Sequence, residues 1–172
     1  MNRKTSADAV FFRPTEHSDL NSVLSIEQNP ENSPFIRQWS KEQHAAAVAD
    51  GNVAHLVIST PSDGTVGYLI LVGLENADKS IEFKRIAIAG KGRGFGRAAV
   101  RYVKKLVFDQ LGVHRLWLEV VENNYKAGSL YLSEGFTEEG MHRESLKQGE
   151  AFVSLKVMSI LEHEYRKSIE TQ

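Results

Sequence analysis

Cysteine is absent from this chain. That removes disulfides, Cys-ligated metal and a thiolate nucleophile in one step, and it fits a reducing compartment. Long apolar runs are absent too. None approaches the roughly 20 residues needed to span a bilayer, and residues 1–9 lack the apolar core of a signal peptide. A cytoplasmic protein with no membrane partner is expected. The six histidines, His17, His44, His55, His114, His142 and His163, are scattered without H-E-x-x-H or comparable spacing, so no metal site is expected. There is no excess of charge: 21 Lys and Arg stand against 22 Asp and Glu, a formal net charge of −1, which argues against general nucleic-acid binding. The common nucleotide signatures are also missing. No segment fits Gly-x4-Gly-Lys-Ser/Thr, and the third glycine of a dinucleotide G-x-G-x-x-G would fall on Arg97, in the middle of the chain.

What is present is an ordinary globular composition, 41% apolar and 25% charged over 172 residues. This is read as one domain, 1–172, long enough to bury a sizeable core. One stretch organises the rest: Lys91-Gly92-Arg93-Gly94-Phe95-Gly96-Arg97. An apolar run, Ile86-Ala87-Ile88-Ala89, leads in, and the helical pattern Ala98-Ala99-Val100-Arg101-Tyr102-Val103 leads out. That reads as strand, tight glycine loop and helix N-terminus. Glycines let backbone approach a ligand closely, and the unpaired first amides of a helix, with its dipole behind them, favour an anion, most often phosphate. Between Lys84 and Phe108 there is no acid, only the bases Lys84, Arg85, Lys91, Arg93, Arg97, Arg101, Lys104 and Lys105. The other reading of these charges is a solvated helix face beside a turn.

In chain order, a short strand at 10–13 stops at Pro14, and Thr15 is the expected N-cap of a helix carrying Leu20, Val23 and Leu24. Residues 28–34 read as a loop. Ser40 with Gln43 forms a capping box for a helix that stops near Asp50-Gly51. A meander of three strands follows, at 53–59, 66–72 and 80–89. The helix from 94 to about 110 buries Ala99, Val100, Val103, Leu106, Val107 and Leu111, with Gly112 as its cap. A strand at 113–121 then implies a parallel pair joined by a crossover. A short helix spans 125–132, two strands lie near 136–142 and 151–160, and the polar tail 162–167 is expected to fray.

The strand at 80–89 has a phase slip. Ile81 and Phe83 are apolar at odd positions, whereas Ile86 and Ile88 are apolar at even ones. A strand's period is two, so the slip predicts a β-bulge near Lys84-Arg85, a device common beside active sites. A strand buried on both faces would need no such register.

The loop K-G-R-G-F-G resembles the (Gln/Arg)-x-x-Gly-x-(Gly/Ala) pyrophosphate loop of the GNAT acetyltransferase superfamily, with Lys91 where Gln or Arg is usual. A second segment, Asn124-x-x-Ala127-x-x-Leu130-Tyr131-x-x-x-Gly135-Phe136, is similar to the N-x-x-A-x-x-L-Y-x-x-x-G-F motif of many GNAT enzymes. The Phe136-to-Tyr165 stretch looks most like bacterial members such as the spermidine and ribosomal-protein N-terminal acetyltransferases. The resemblance implies an α/β (α+β) fold, a mixed, mostly antiparallel sheet of six to seven strands with helices on both faces. It implies acetyl-coenzyme A as co-substrate, lying where two parallel strands diverge. The diphosphate would sit on Lys91, Gly92, Arg93, Gly94, Phe95, Gly96 and Arg97, and the thioester and pantetheine arm against the freed backbone of Ile86, Ala87 and Ile88. Asn124, with Ala127 beside it, would hold the pantetheine amide, and Tyr131 would protonate the departing thiolate. Family habit suggests a homodimer.

The chemistry is consistent on its own terms. Acyl transfer to an amine needs a base for the ammonium, polarisation of the carbonyl and an acid for sulfur. Thiol and phenol pKa values, roughly 8.5 and 10, are close enough for a tyrosine to serve. Glu82, just before the bulge, and Glu119, in an otherwise apolar strand, are the candidate bases, with a water relay as the alternative. Glu119 could instead pair with Arg115. Glu27 and Glu31, on the loop between the first helices, read as solvated acids or as attraction for a cationic acceptor. Without cysteine there is no Cys-acyl intermediate, so direct attack by a primary amine of a small molecule or peptide is expected. The competing classes are a non-catalytic acyl-coenzyme A-binding module and a nucleotide-binding regulator.

Overall fold

The computed structural model describes residues 9–170; the first eight residues, most of the segment read as too polar for a signal peptide, lie outside it. Seven strands form one sheet in the order β1-β2-β3-β4-β5-β7-β6. They are β1 (Phe11–Pro14), β2 (Val53–Thr60), β3 (Gly64–Val72), β4 (Ser80–Ile88), β5 (Arg115–Val121), β6 (Thr137–Gln148) and β7 (Ala151–Leu161). All neighbours are antiparallel except β4 and β5. The described residues also form five α-helices: α1 (Leu20–Gln28), α2 (Lys41–Ala49), α3 (Phe95–Lys105), α4 (Tyr125–Ser133) and α5 (Glu162–Glu170). None is long and apolar enough to cross a membrane.

The sheet has a core on each face. On one, Ala99, Val100 and Val103 of α3 and Tyr131 of α4 pack on Leu69, Leu71, Ile81, Phe83, Leu116 and Leu118. On the other, Val23 and Ile26 of α1 meet Val57, Tyr68, Ile70 and Ala87. At roughly 25 cal/mol per Å² of apolar surface buried, these layers are the main hold on the site between them.

Several expectations are corrected. Thr15 does not cap a helix; its hydroxyl bonds His55 at 2.8 Å, and a 3-10 turn, His17–Asp19, precedes α1. Leu111 is exposed rather than buried, because α3 ends in a wide turn in which the Leu111 amide reaches back to the Leu106 carbonyl at 3.1 Å. The tail does not fray: it is α5, held by Tyr165 stacked on Phe108 at 5.0 Å between ring centres and by Arg166 on Asp109 and the Phe108 carbonyl. β6 is also longer than the 136–142 strand expected. The Ser40–Gln43 capping box is present as read.

Candidate active site

The predicted bulge positions the site. Ile70 pairs with Arg85 and Leu71 with Phe83, so Lys84 is the extra residue. The extra residue restores the expected face change: Ile86 and Ile88 rejoin the core that holds Ile81 and Phe83, while Arg85 and Ala87 turn to the other face. Gly67 allows the close approach of β3 there, since a Cβ on it would lie 2.7 Å from the Ala87 carbonyl oxygen.

Parallel pairing of β4 with β5 reaches only Glu82 opposite Trp117. Among the described residues no strand pairs with β4 beyond it on that side. The Ala89 amide bonds the Val66 carbonyl of the β3 side at 2.8 Å. By the alternation of an antiparallel ladder, the backbone groups of Ala87 also face β3, and those of Ile86 and Ile88 face the gap. The Ile86 backbone and the Ile88 amide therefore stay open, the Ile88 carbonyl being taken by Asn32 at 3.1 Å; Ala87 contributes its neighbours' geometry rather than its own amide.

The glycine loop closes the lower end of this gap. Gly92 and Gly94 have φ of +88° and +85°, a conformation that suits glycine. Ala98 is the first helical amide with an internal acceptor, the Gly94 carbonyl at 3.0 Å, so the amides of Phe95, Gly96 and Arg97 precede the ladder and point outward. No acid lies in the first turn of α3. The loop's side chains are held elsewhere. Arg93 pairs with Asp63 at 2.8 Å and lies over Phe95. Lys91 donates to the Glu31 carbonyl. Arg97, Arg101 and Lys104 converge on buried Glu134, where burial pushes the carboxyl up but the hydrogen bonds of Arg101, Lys104 and Arg97 hold it below its usual pKa. The basic face of α3 thus clamps the end of α4, and the group that Arg97 leaves for an anion is its amide.

Tyr131 lies on α4, its ring against Phe83 and Phe136. Burial raises its pKa, which keeps the phenol protonated, as a proton donor must be. Its hydroxyl has no hydrogen-bond partner among the described residues, yet no fully enclosed side-chain polar atom there goes unpaired; the hydroxyl therefore opens to accessible space. Asn124 caps α4, its Oδ1 accepting from the Ala127 amide at 3.3 Å, and its side-chain nitrogen remains a donor for a ligand.

Glu82 and Glu119 share the sheet face opposite α3 and α4, at the mouth of the gap, since Glu82 pairs with Trp117 and Glu119 lies two residues on. Glu82 binds Lys84 at 3.1 Å. Glu119 pairs with His142 at 2.8 Å, not with Arg115, which binds Glu139.

The largest departure from the sequence reading is Glu27. It is fully buried at the end of α1. Its carboxylate accepts from the Trp39 amide at 2.6 Å, from Arg85 at 2.7 Å and from the Tyr68 hydroxyl, and it contacts His44 at 3.1 Å. His55 and Thr15 extend the chain at 3.0 and 2.8 Å. Burial pushes the Glu27 carboxyl up, but bonds from His44, Tyr68 and Trp39 outweigh it and hold it low. Burial, helped by the neighbouring His44 and Arg85, depresses His55 to about 4. This network anchors the segment after α1: Arg85 also donates to the Arg37 carbonyl at 2.8 Å and lies over Trp39, while Asn32 bonds the Ile88 carbonyl at 3.1 Å. Glu31 stays exposed. Against this segment the β6–β7 turn closes a cavity of about 380 Å³, lined by residues 33–34, 36–38 and 146–149.

Comparison with known proteins matches this geometry. A family model for the acetyltransferase (GNAT) domain matches residues 9–137. The chain is similar to a spermidine N(1)-acetyltransferase of Vibrio cholerae, 25% identical over 90% of this chain and 94% of that one. It is also similar to the enzyme of that name from Escherichia coli K12, 28% identical over 93% and 90%. A crystal structure of the Vibrio cholerae enzyme in complex with CoA and spermine superposes with a TM-score of 0.81, at 25% identity over 91% and 98% of the two chains. A dodecameric form of it gives 0.78 over 91% and 95%. The chain belongs to the GNAT acetyltransferase family and is an acetyl-coenzyme A-dependent N-acetyltransferase that moves an acetyl group onto an amine.

Proposed function

We propose that the acetyl group passes directly from the thioester to a bound primary amine in a ternary complex, with Tyr131 as the acid. Acetyl-coenzyme A supplies the activated acyl group. The outward amides of residues 95–97, with the glycine backbone of 92–94 before them, bind its diphosphate, the pantetheine arm runs past Asn124, and the open amides at Ile86 and Ile88 polarise the carbonyl. The amine attacks from the face that carries Glu82 and Glu119, and its proton leaves through water to one of these acids. The tetrahedral adduct collapses, the C–S bond breaks, and the Tyr131 proton moves to sulfur. The observation that carries this reading is the end of the β4–β5 ladder at Glu82, together with a Tyr131 phenol that burial keeps protonated and whose hydroxyl has no protein partner among the described residues.

The acceptor is a primary amine of a small molecule or peptide, with the spermidine of the relatives' names as the comparison compound. A homo-oligomer in the cytoplasm goes with this reading; the likeness to a dodecameric enzyme supports the first. Tyr131→Phe tests the mechanism. Acetyl-coenzyme A should bind with unchanged affinity while kcat falls tenfold or more, in the usual range of a lost general acid. Unchanged turnover would remove Tyr131 from the chemistry. Glu82→Gln and Glu119→Gln separate the candidate bases by which one shifts the alkaline rise of kcat/KM.

A further inference from the structure

We propose that the acceptor carries a carboxylate as well as its amine, and that Arg37 and Lys147 bind that carboxylate. This rests on the catalytic reading above and narrows its substrate class. The cavity at the acceptor face, about 380 Å³, is lined by Ser33, Pro34, Ile36, Arg37, Gln38, Leu146, Lys147, Gln148 and Gly149, within the size range of small-ligand sites. Its lining holds two cations and no carboxylate. Arg37 and Lys147 are exposed, and neither side chain makes an ion pair among the described residues. Of the two acids that the sequence offered for a cationic acceptor, Glu27 is buried and neutralised by Arg85, and Glu31 is exposed but outside the lining. Glu150 follows Gly149 in the turn but is outside the lining.

The cleft is pre-formed. Arg37 is fixed by its carbonyl to Arg85, the Trp39 amide is fixed to Glu27, and Gln148 donates to the Pro34 carbonyl. The Gln38 nitrogen donates to the Glu27 and Ile36 carbonyls, each at 3.3 Å. The side-chain oxygens of Gln38 and Gln148 are left as acceptors. Two cations for an anion and amide oxygens for an ammonium suit a zwitterionic amine. A polyamine would set like charges against Arg37 and Lys147, which is unfavourable. The same segment is tied to the open strand at Arg85 and Ile88, which couples the cavity to the strand proposed to seat the thioester.

The test compares matched amines that differ only by a carboxylate: lysine against cadaverine, and phenylalanine against 2-phenylethylamine. A dipeptide amide with one side-chain carboxylate is compared with its amide counterpart. Release of coenzyme A gives kcat/KM, and calorimetric titration into the CoA-saturated protein gives affinity whether or not chemistry follows. The carboxylate member should be preferred by about tenfold or more. A preference among free amino acids places the anion near the amine; one among dipeptides places it a residue further. In Arg37→Gln, and separately in Lys147→Gln, that ratio should fall toward one through KM, with folding verified by the thermal shift that acetyl-coenzyme A gives. Equal or tighter binding of the carboxylate-free amines, or a ratio unmoved in both variants, overturns the proposal. A carboxylate preference in binding without acetyl transfer would sustain it and overturn the catalytic reading instead.

Discussion

The cofactor side and the acceptor side of this site are built from different material. On the proposed cofactor side the groups left to meet a ligand are main-chain amides, at Ile86, Ile88 and residues 95–97, while the side chains of Arg93 and Arg97 are held by Asp63 and Glu134. On the acceptor side the main chain is positioned by buried side chains, with Glu27 taking bonds from His44, Tyr68, Trp39 and Arg85. A phosphate contact can thus depend on backbone shape alone, whereas the acceptor contact depends on a side-chain network that can differ from one relative to the next.

Breaking the network should separate the two sides most clearly. Glu27→Gln leaves the Arg85 charge buried with no counter-charge, which should cost roughly 3–5 kcal/mol of stability by urea unfolding. The surviving folded protein should keep its acetyl-coenzyme A affinity. If that affinity falls with stability, the sides are not separable.

Acid should act on the acceptor side next. His55 has a folded pKa of about 4 against about 6.5 unfolded, so between these values the unfolded chain binds the extra proton. Stability is therefore full above about pH 6.5 and falls as pH drops toward 4, by roughly 3 kcal/mol from this group. His55→Gln should flatten that part of the profile. Parallel profiles for both proteins would assign the acid sensitivity elsewhere.

At the seam, Gly67→Ala places a methyl against the Ala87 carbonyl and should cost about 1–3 kcal/mol. By displacing the open strand it should raise KM for both substrates; a change confined to one would show that the seam serves only that side. The smallest effect is expected at Gly94→Ala. There the Cβ meets nothing within 4 Å but φ is +85°, a strain of about 1–2 kcal/mol. Acetyl-coenzyme A should bind roughly tenfold more weakly, with the fall of a few degrees in Tm that this strain implies and no change in acceptor preference.

The same contrast explains what the sequence made legible. Backbone geometry leaves local marks: alternating glycines before a helix, and a one-residue slip between Phe83 and Ile86. Loop, bulge and the β4–α3–β5 unit could therefore be read directly, and the Asn124–Phe136 motif placed α4 and Tyr131. The Glu27 network joins residues up to 58 apart in the chain, and no local pattern encodes it. One sign was available. Leu20, Val23 and Glu27 follow helical spacing, and all three are buried, so the carboxylate continued an apolar stripe and was not a loop acid. Arg37 and Lys147 come together only when the segment after α1 meets the β6–β7 turn, a juxtaposition with no signature in either segment. The tail was misread because its polar residues hide one anchor, Tyr165, whose partner Phe108 is 57 positions away.

The structure of the protein with bound coenzyme A tests the central claim most directly. The account predicts diphosphate oxygens within hydrogen-bond distance, about 3 Å, of the amides in residues 92–97, the pantetheine arm in the gap beyond Glu82, and sulfur beside the Tyr131 hydroxyl. A diphosphate bound away from that loop, or a sulfur out of reach of the phenol, would contradict it.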